Sequence, residues 1–183
     1  MKRIMFIPVL LLMGAAPATA PKAKTIMPKD QITSAASYVL PEGWKETFSR
    51  NQGDPQAVLK YGLHRITVRL SGGEKSRYKK AADFLVGLEV RSADGKAPGK
   101  LGHVAVAGQK VMLYKRKAAV SLPLPDMGGP ASYADEEFCV VPARSGYFVL
   151  SYSYEDDLPD STYDGAKVWH GFLKSFRLKV GRK

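Results

Sequence analysis

The segment YFVLSYSY (147–154) constrains the fold more than any other part of the chain. Phe148, Leu150, Tyr152 and Tyr154 project to one face of an extended backbone, and Tyr147, Val149, Ser151 and Ser153 to the other. A strand apolar on one face and partly apolar on the other needs cover on both sides, so it belongs in the middle of a sheet. It is the second arm of a hairpin whose first arm is EEFCVVPA (136–143), turned by RSG (144–146). In HRITVRLSG (64–72), Ile66, Val68 and Leu70 alternate with Arg65, Thr67 and Arg69, the pattern of an antiparallel strand with one buried and one wet face. AVLKYG (57–62) precedes it and pairs with it around Gly62. LGHVAVAG (101–108) and QKVMLYKRK (109–117) make another pair, joined by a tight turn at Ala107-Gly108.

The period changes twice. In KSRYKKAADFLVGLEVR (75–91), Tyr78, Ala81, Ala82, Leu85 and Leu88 recur at three and four, with Ser76 placed to cap an amphipathic helix. Near the end, Tyr163, Ala166, Trp169, Phe172 or Leu173, and Phe176 step the same way. That spacing predicts a helix over 161–175, packed through Trp169 and Phe172. Gly165 and Gly171 oppose it, each costing about 1 kcal/mol relative to Ala in a helix interior. Earlier, YVLPEGWKETFSR (38–50) reads as a turn at Pro41–Gly43 with Trp44 leading into a short strand, and FRLKV closes the chain as a short strand or tail. Antiparallel hairpins with one helix mid-chain and one near the end give an α+β domain with helices covering a sheet.

The N-terminus carries an address. Lys2 and Arg3 precede an apolar run from Ile4 to Met13, and Ala18 and Ala20 stand at the minus-three and minus-one positions of a cut after Ala20. This is the build of a secretory signal, 1–20, and the run is too short to span a bilayer. No later segment offers a span. An exported, periplasmic or extracellular protein is expected, with 21–37 a flexible lead and 38–183 one domain. Cys139 is the single cysteine, so no disulfide forms within a chain, and its place in a strand suits a small buried hydrophobe.

Charge suggests the partner. There are 28 Lys and Arg against 17 Asp and Glu, a formal +11. Nine of the acids lie between Asp126 and Asp164, with Arg144 the one base among them. Basic residues gather in KSRYKK, YKRK and the tail RLKVGRK, so Lys75, Arg77, Lys79, Lys80, Lys115, Arg116 and Lys117 are the expected partner-binding set. The partner would be an anionic envelope component or an acidic protein surface. The competing reading is a solvated face that serves solubility alone. An export signal, with no zinc-finger, helix-turn-helix or RNA-binding pattern, argues against nucleic acid.

The sequence offers material for two chemistries. Asp156, Asp157, Asp160 and Asp164, beside Glu155, could supply oxygens to a Ca-type cation, but their spacing does not follow the regular calcium-loop series. Asp160 or Ser161 also stands where a helix cap belongs, and acids there complement the helix dipole. Capping is the expected role, and a small-molecule or metal-binding loop the alternative. Catalysis has no motif: His64, His103 and His170 fall in no ligand pattern, SGGEKS (71–76) lacks phosphate-loop spacing, and no G-x-S-x-G elbow exists. Neither an enzyme nor a cofactor is expected. A hydrolase would require residues assembled only by the fold.

The order LPEGWKETF, strand pair, YKKAADFLVGL, VAGQKVMLYKRK, EEFCVVPARSGYFVLSYSY and WHGFLKSFRL resembles a PsbP-like domain over Tyr38 to Lys179. The resemblance implies an α/β/α sandwich, a central and mostly antiparallel sheet covered by helices. It also implies a binding or assembly role without catalytic residues. It carries over no site residue and no photosynthetic partner.

Overall fold

The computed structural model describes residues 26–89, 96–121, 132–155 and 162–179. Nine strands and three helices occur among them, in the order α1 (Pro28–Ala35), β1 (Ala36–Ser37), β2 (Lys45–Asn51), β3 (Asp54–Tyr61), β4 (His64–Ser71), α2 (Ala81–Glu89), β5 (Gly99–Val106), β6 (Gln109–Ser121), β7 (Ser132–Ala143), β8 (Gly146–Tyr154), α3 (Gly165–Ser175) and β9 (Arg177–Leu178). Strands β2 to β8 form one antiparallel sheet of seven in the order β2-β3-β4-β8-β7-β6-β5. β8 is the middle strand, the position its two-sided apolar pattern requires. The expected hairpins are all present, with Tyr61 opposite His64, Val106 opposite Gln109 and Ala143 opposite Gly146.

Alternation along β8 feeds two clusters. Phe148 and Leu150 join Ile66 and Val68 of β4, Ile32 of α1, and Trp169, Phe172 and Leu173 of α3. Tyr147 and Val149 join Phe138 of β7 and Phe84 and Leu88 of α2. Trp169 is fully buried, stacked on Tyr152 and Phe172 with ring centroids 6.1 Å away in each case. Cys139 is buried among the first cluster, and burial pushes its thiol up to about 12, so it behaves as a small apolar side chain.

Three boundaries differ from expectation. The lead 21–37 is ordered from Pro28 onward: Pro28 opens α1, Ile32 is fully buried, and Ala36 and Ser37 pair with Leu178 and Arg177. One isoleucine in PKDQITSA makes no apolar period, so only Pro28 at the first position and Asp30 in the first turn signalled this helix. Next, α2 begins at Ala81, and Ser76 does not cap it, because its hydroxyl donates instead to Asp54. Finally, α3 begins at Gly165 rather than 161. Asp164 is its cap, with Oδ1 accepting from the Lys167 backbone N–H at 2.9 Å. A Cβ at Gly165 would run into Tyr152 Oη and the His64 ring. The glycine that weakened the helix on paper is what lets α3 approach the sheet.

The signal segment 1–20 and residues 21–25 lie outside the described residues. No described helix is long and apolar enough to cross a membrane.

Candidate functional site

The strands of the large sheet place alternate residues on common faces, and the face turned toward α2 is the basic one. On it lie Lys45, Thr47 and Ser49 of β2, Gln56, Val58 and Lys60 of β3, and Arg65, Thr67 and Arg69 of β4. At its far end, Asp54 and Ser71 are buried beneath the loop that joins β4 to α2. Ser71 Oγ donates to Asp54 Oδ2 at 2.6 Å, and Ser76 Oγ, from the loop itself, donates to Oδ1. One carboxylate thus fastens the loop to the sheet. Gly53 completes the joint: its φ is +88°, and a Cβ there would run into the Lys75 carbonyl.

That loop carries Lys75, Arg77, Lys79 and Lys80, all exposed. Lys79 bends back, its ammonium donating to the carbonyls of Gly73, at 2.9 Å, and Glu74. The Arg77 guanidinium lies over the Tyr78 ring, 5.3 Å from its centroid. A cleft of about 560 Å³ opens beside the loop, lined by Gln31, Arg50, Asp54, Lys75, Ser76 and Ser145 among others. Arg50 is committed within it, to the Gly53 and Ile26 carbonyls at 3.2 and 2.8 Å and to Gln31 Oε1 at 2.7 Å.

The other three expected partner residues are placed differently. Lys115 and Lys117 both bind Asp135, at 2.8 Å each, and Arg116 binds Glu136 at 2.5 Å. The register of β6 on β7 sets Arg116 directly opposite Glu136 and Lys117 opposite Asp135. The two lysines hold the Asp135 carboxyl below its ordinary range. A basic run and an acidic run far apart in sequence therefore neutralise each other across a strand pair. The fold brings Lys75, Arg77, Lys79 and Lys80 together and leaves Lys115, Arg116 and Lys117 on another strand with partners of their own.

Arg69 is a residue that charge runs could not reveal. Its guanidinium lies 5.7 Å from the Phe84 ring centroid, and Nε is buried without a hydrogen-bond partner. Burial lowers its affinity for the proton, with Glu136 and Asp54 acting in the opposite direction. The alternation in HRITVRLSG was the available signal, since it sets Arg65 and Arg69 on one face.

The acidic segment offers less. Asp156, Asp157 and Asp160 lie outside the described residues, and Asp164 serves as a helix cap. Among the described residues, no group of three or more His, Cys, Asp or Glu side chains is arranged to hold a metal ion. Nor does the buried histidine meet the buried carboxylate. His64 is 3% exposed, with Nδ1 2.9 Å from Tyr152 Oη. It opens β4, whereas Ser71 and Asp54 stand at the other end, roughly 23 Å away at strand rise. His103 and His170 are exposed.

No family model matches the chain, and no curated protein matches it. Among solved structures, the crystal structure of LpqN, involved in cell envelope biogenesis of Mycobacterium tuberculosis, is similar over 79% of this chain and 83% of that one. The identity is 14% and the TM-score 0.35, a likeness from which neither fold nor role is transferred.

Proposed function

We propose that the chain is an exported, non-enzymatic binding or assembly-accessory protein whose basic loop, 75–80, meets an anionic envelope component or acidic protein surface. The observation that carries this reading is the loop itself. Four exposed cations sit on a segment fastened to the core by Asp54, while the Lys115–Lys117 cations are spent on acids of the same sheet. An anchored loop presents its charges with less ordering cost on binding than a loose one. Export rests on the signal at 1–20. The two helix-bearing clusters on β8 fit the α/β/α sandwich that the PsbP-like resemblance implies.

The test is retention on an anionic matrix across a salt series. The protein is expected to bind at low ionic strength and to elute as salt rises, because exposed charges are screened within about 10 Å at 0.1 M. Passage without retention at low salt would remove the reading.

A further inference from the structure

The sheet holds a second basic feature that no charge run in the sequence announces. Lys45 lies directly opposite Lys60, and Lys60 directly opposite Arg65. All three therefore project from the face that carries the anchored loop, within two strand spacings, about 10 Å. Like charges directly opposite each other destabilise a sheet. Arg65 is relieved by Glu155 at 2.9 Å, but among the described residues no acidic side chain pairs with Lys45 or Lys60. Along the same strands toward the loop stand the hydroxyls of Thr47, Ser49 and Thr67 about the half-buried Val58, with Ser49 Oγ accepting from Gln56 Nε2 at 2.9 Å and Thr47 Oγ1 donating to the Val58 carbonyl at 3.4 Å. From Lys60 to Asp54, beneath the loop, is roughly 20 Å of strand.

We propose that this ladder is a binding subsite for an acidic polysaccharide, laid along the face from Lys45 and Lys60 to the loop. The proposal rests on the anionic-partner reading and names its partner. The two lysines match the carboxylates of the polymer, and the hydroxyls between them and the loop match its sugar hydroxyls. A lipid surface fits less well, because none of the exposed large apolar side chains among the described residues projects from these positions.

The experiment uses alginate, a uronic-acid polymer, with neutral dextran and phosphatidylglycerol vesicles as comparison arms. Three proteins are measured: the parent, the ladder variant Lys45→Thr with Lys60→Thr, and a loop variant Lys75→Ser with Lys80→Ser. The parent is expected to bind alginate and not dextran. The ladder variant should bind alginate about tenfold more weakly, the scale of two exposed ion pairs. Its Tm should rise by about 1 °C, since the opposed charges are gone. Unchanged alginate affinity in the ladder variant, with affinity lost in the loop variant, would overturn the ladder and leave the anionic-partner reading standing. Parent protein that binds vesicles but not alginate, or dextran as well as alginate, overturns the polysaccharide. Parent protein that binds neither anionic probe at low salt overturns both readings.

Discussion

Trp169→Ala is expected to lower stability by about 3–5 kcal/mol, the range for truncating a large core aromatic. The indole is fully buried and lies between Tyr152 and Phe172, so its removal leaves a cavity bounded by rigid rings. That cavity would separate α3 from β8, the central strand. Against the 5–15 kcal/mol typical of whole domains, such a loss should lower Tm by about 10 °C. Trp169→Phe discriminates the cause. Trp169 Nε1 is buried with no hydrogen-bond partner, so Phe keeps much of the packing and removes an unsatisfied donor. The Phe variant should lie within about 1 kcal/mol of the parent. Denaturant midpoints of the two variants check both statements. A Phe variant as damaging as the Ala variant would mean that the indole nitrogen matters.

Asp54→Ala is expected to cost about 3 kcal/mol, the scale of hydrogen bonds to a buried charged acceptor. Two hydroxyls, Ser71 Oγ and Ser76 Oγ, converge on that carboxylate, and both serines are buried. Alanine leaves both donors without their acceptor. The loss is also local in kind, because the Ser76 contact holds the start of the β4–α2 loop to the sheet, while the Tyr147 hydroxyl, donating to the Tyr78 carbonyl at 3.1 Å, holds its end. Limited trypsin digestion should then cut after Lys75, Arg77, Lys79 or Lys80 under conditions in which the parent resists. Asp54→Asn keeps an acceptor oxygen and should protect the loop in part. Loss of stability without new cleavage in 75–80 would show that Asp54 supports the core and does not fix the loop.

Much of the sheet was legible because its residues obey a period of two. β8 reads as central from Tyr147, Val149 and Ser151 facing away from Phe148, Leu150 and Tyr152, and the structure places it fourth of seven strands. α3 was legible from its 3–4 spacing, with Trp169, Phe172 and Leu173 all buried. α1 was not, because one buried Ile32 in a polar octapeptide leaves no period to read. Ser76 misled for a different reason. A serine before an apolar period is a good cap candidate, but a buried carboxylate from β3 competes for its hydroxyl, and that partner is visible only in three dimensions.

Charge was the least legible property. The acids of DEE (135–137) and the bases of KRK (115–117) look like opposed patches in sequence, yet β6 and β7 pair them residue against residue. The converse holds for Lys45, Lys60 and Arg65. They stand singly in the sequence and become a ladder only through register. Linear runs overstate some charge clusters and conceal others, since strand pairing decides which neighbours a side chain meets.

On the function proposed, the anchored loop, and not the YKRK strand, presents charge to an anionic partner. Two double reversals on one salt-series retention assay test it most directly: Lys75→Glu with Lys80→Glu in the loop, and Lys115→Glu with Lys117→Glu on β6. The loop variant is predicted to lose retention at low salt with its denaturant midpoint unchanged. The β6 variant is predicted to keep retention and lose stability, because its new carboxylates face Asp135. Retention abolished by the β6 reversal and preserved by the loop reversal would place the binding surface on β6 and not on the loop.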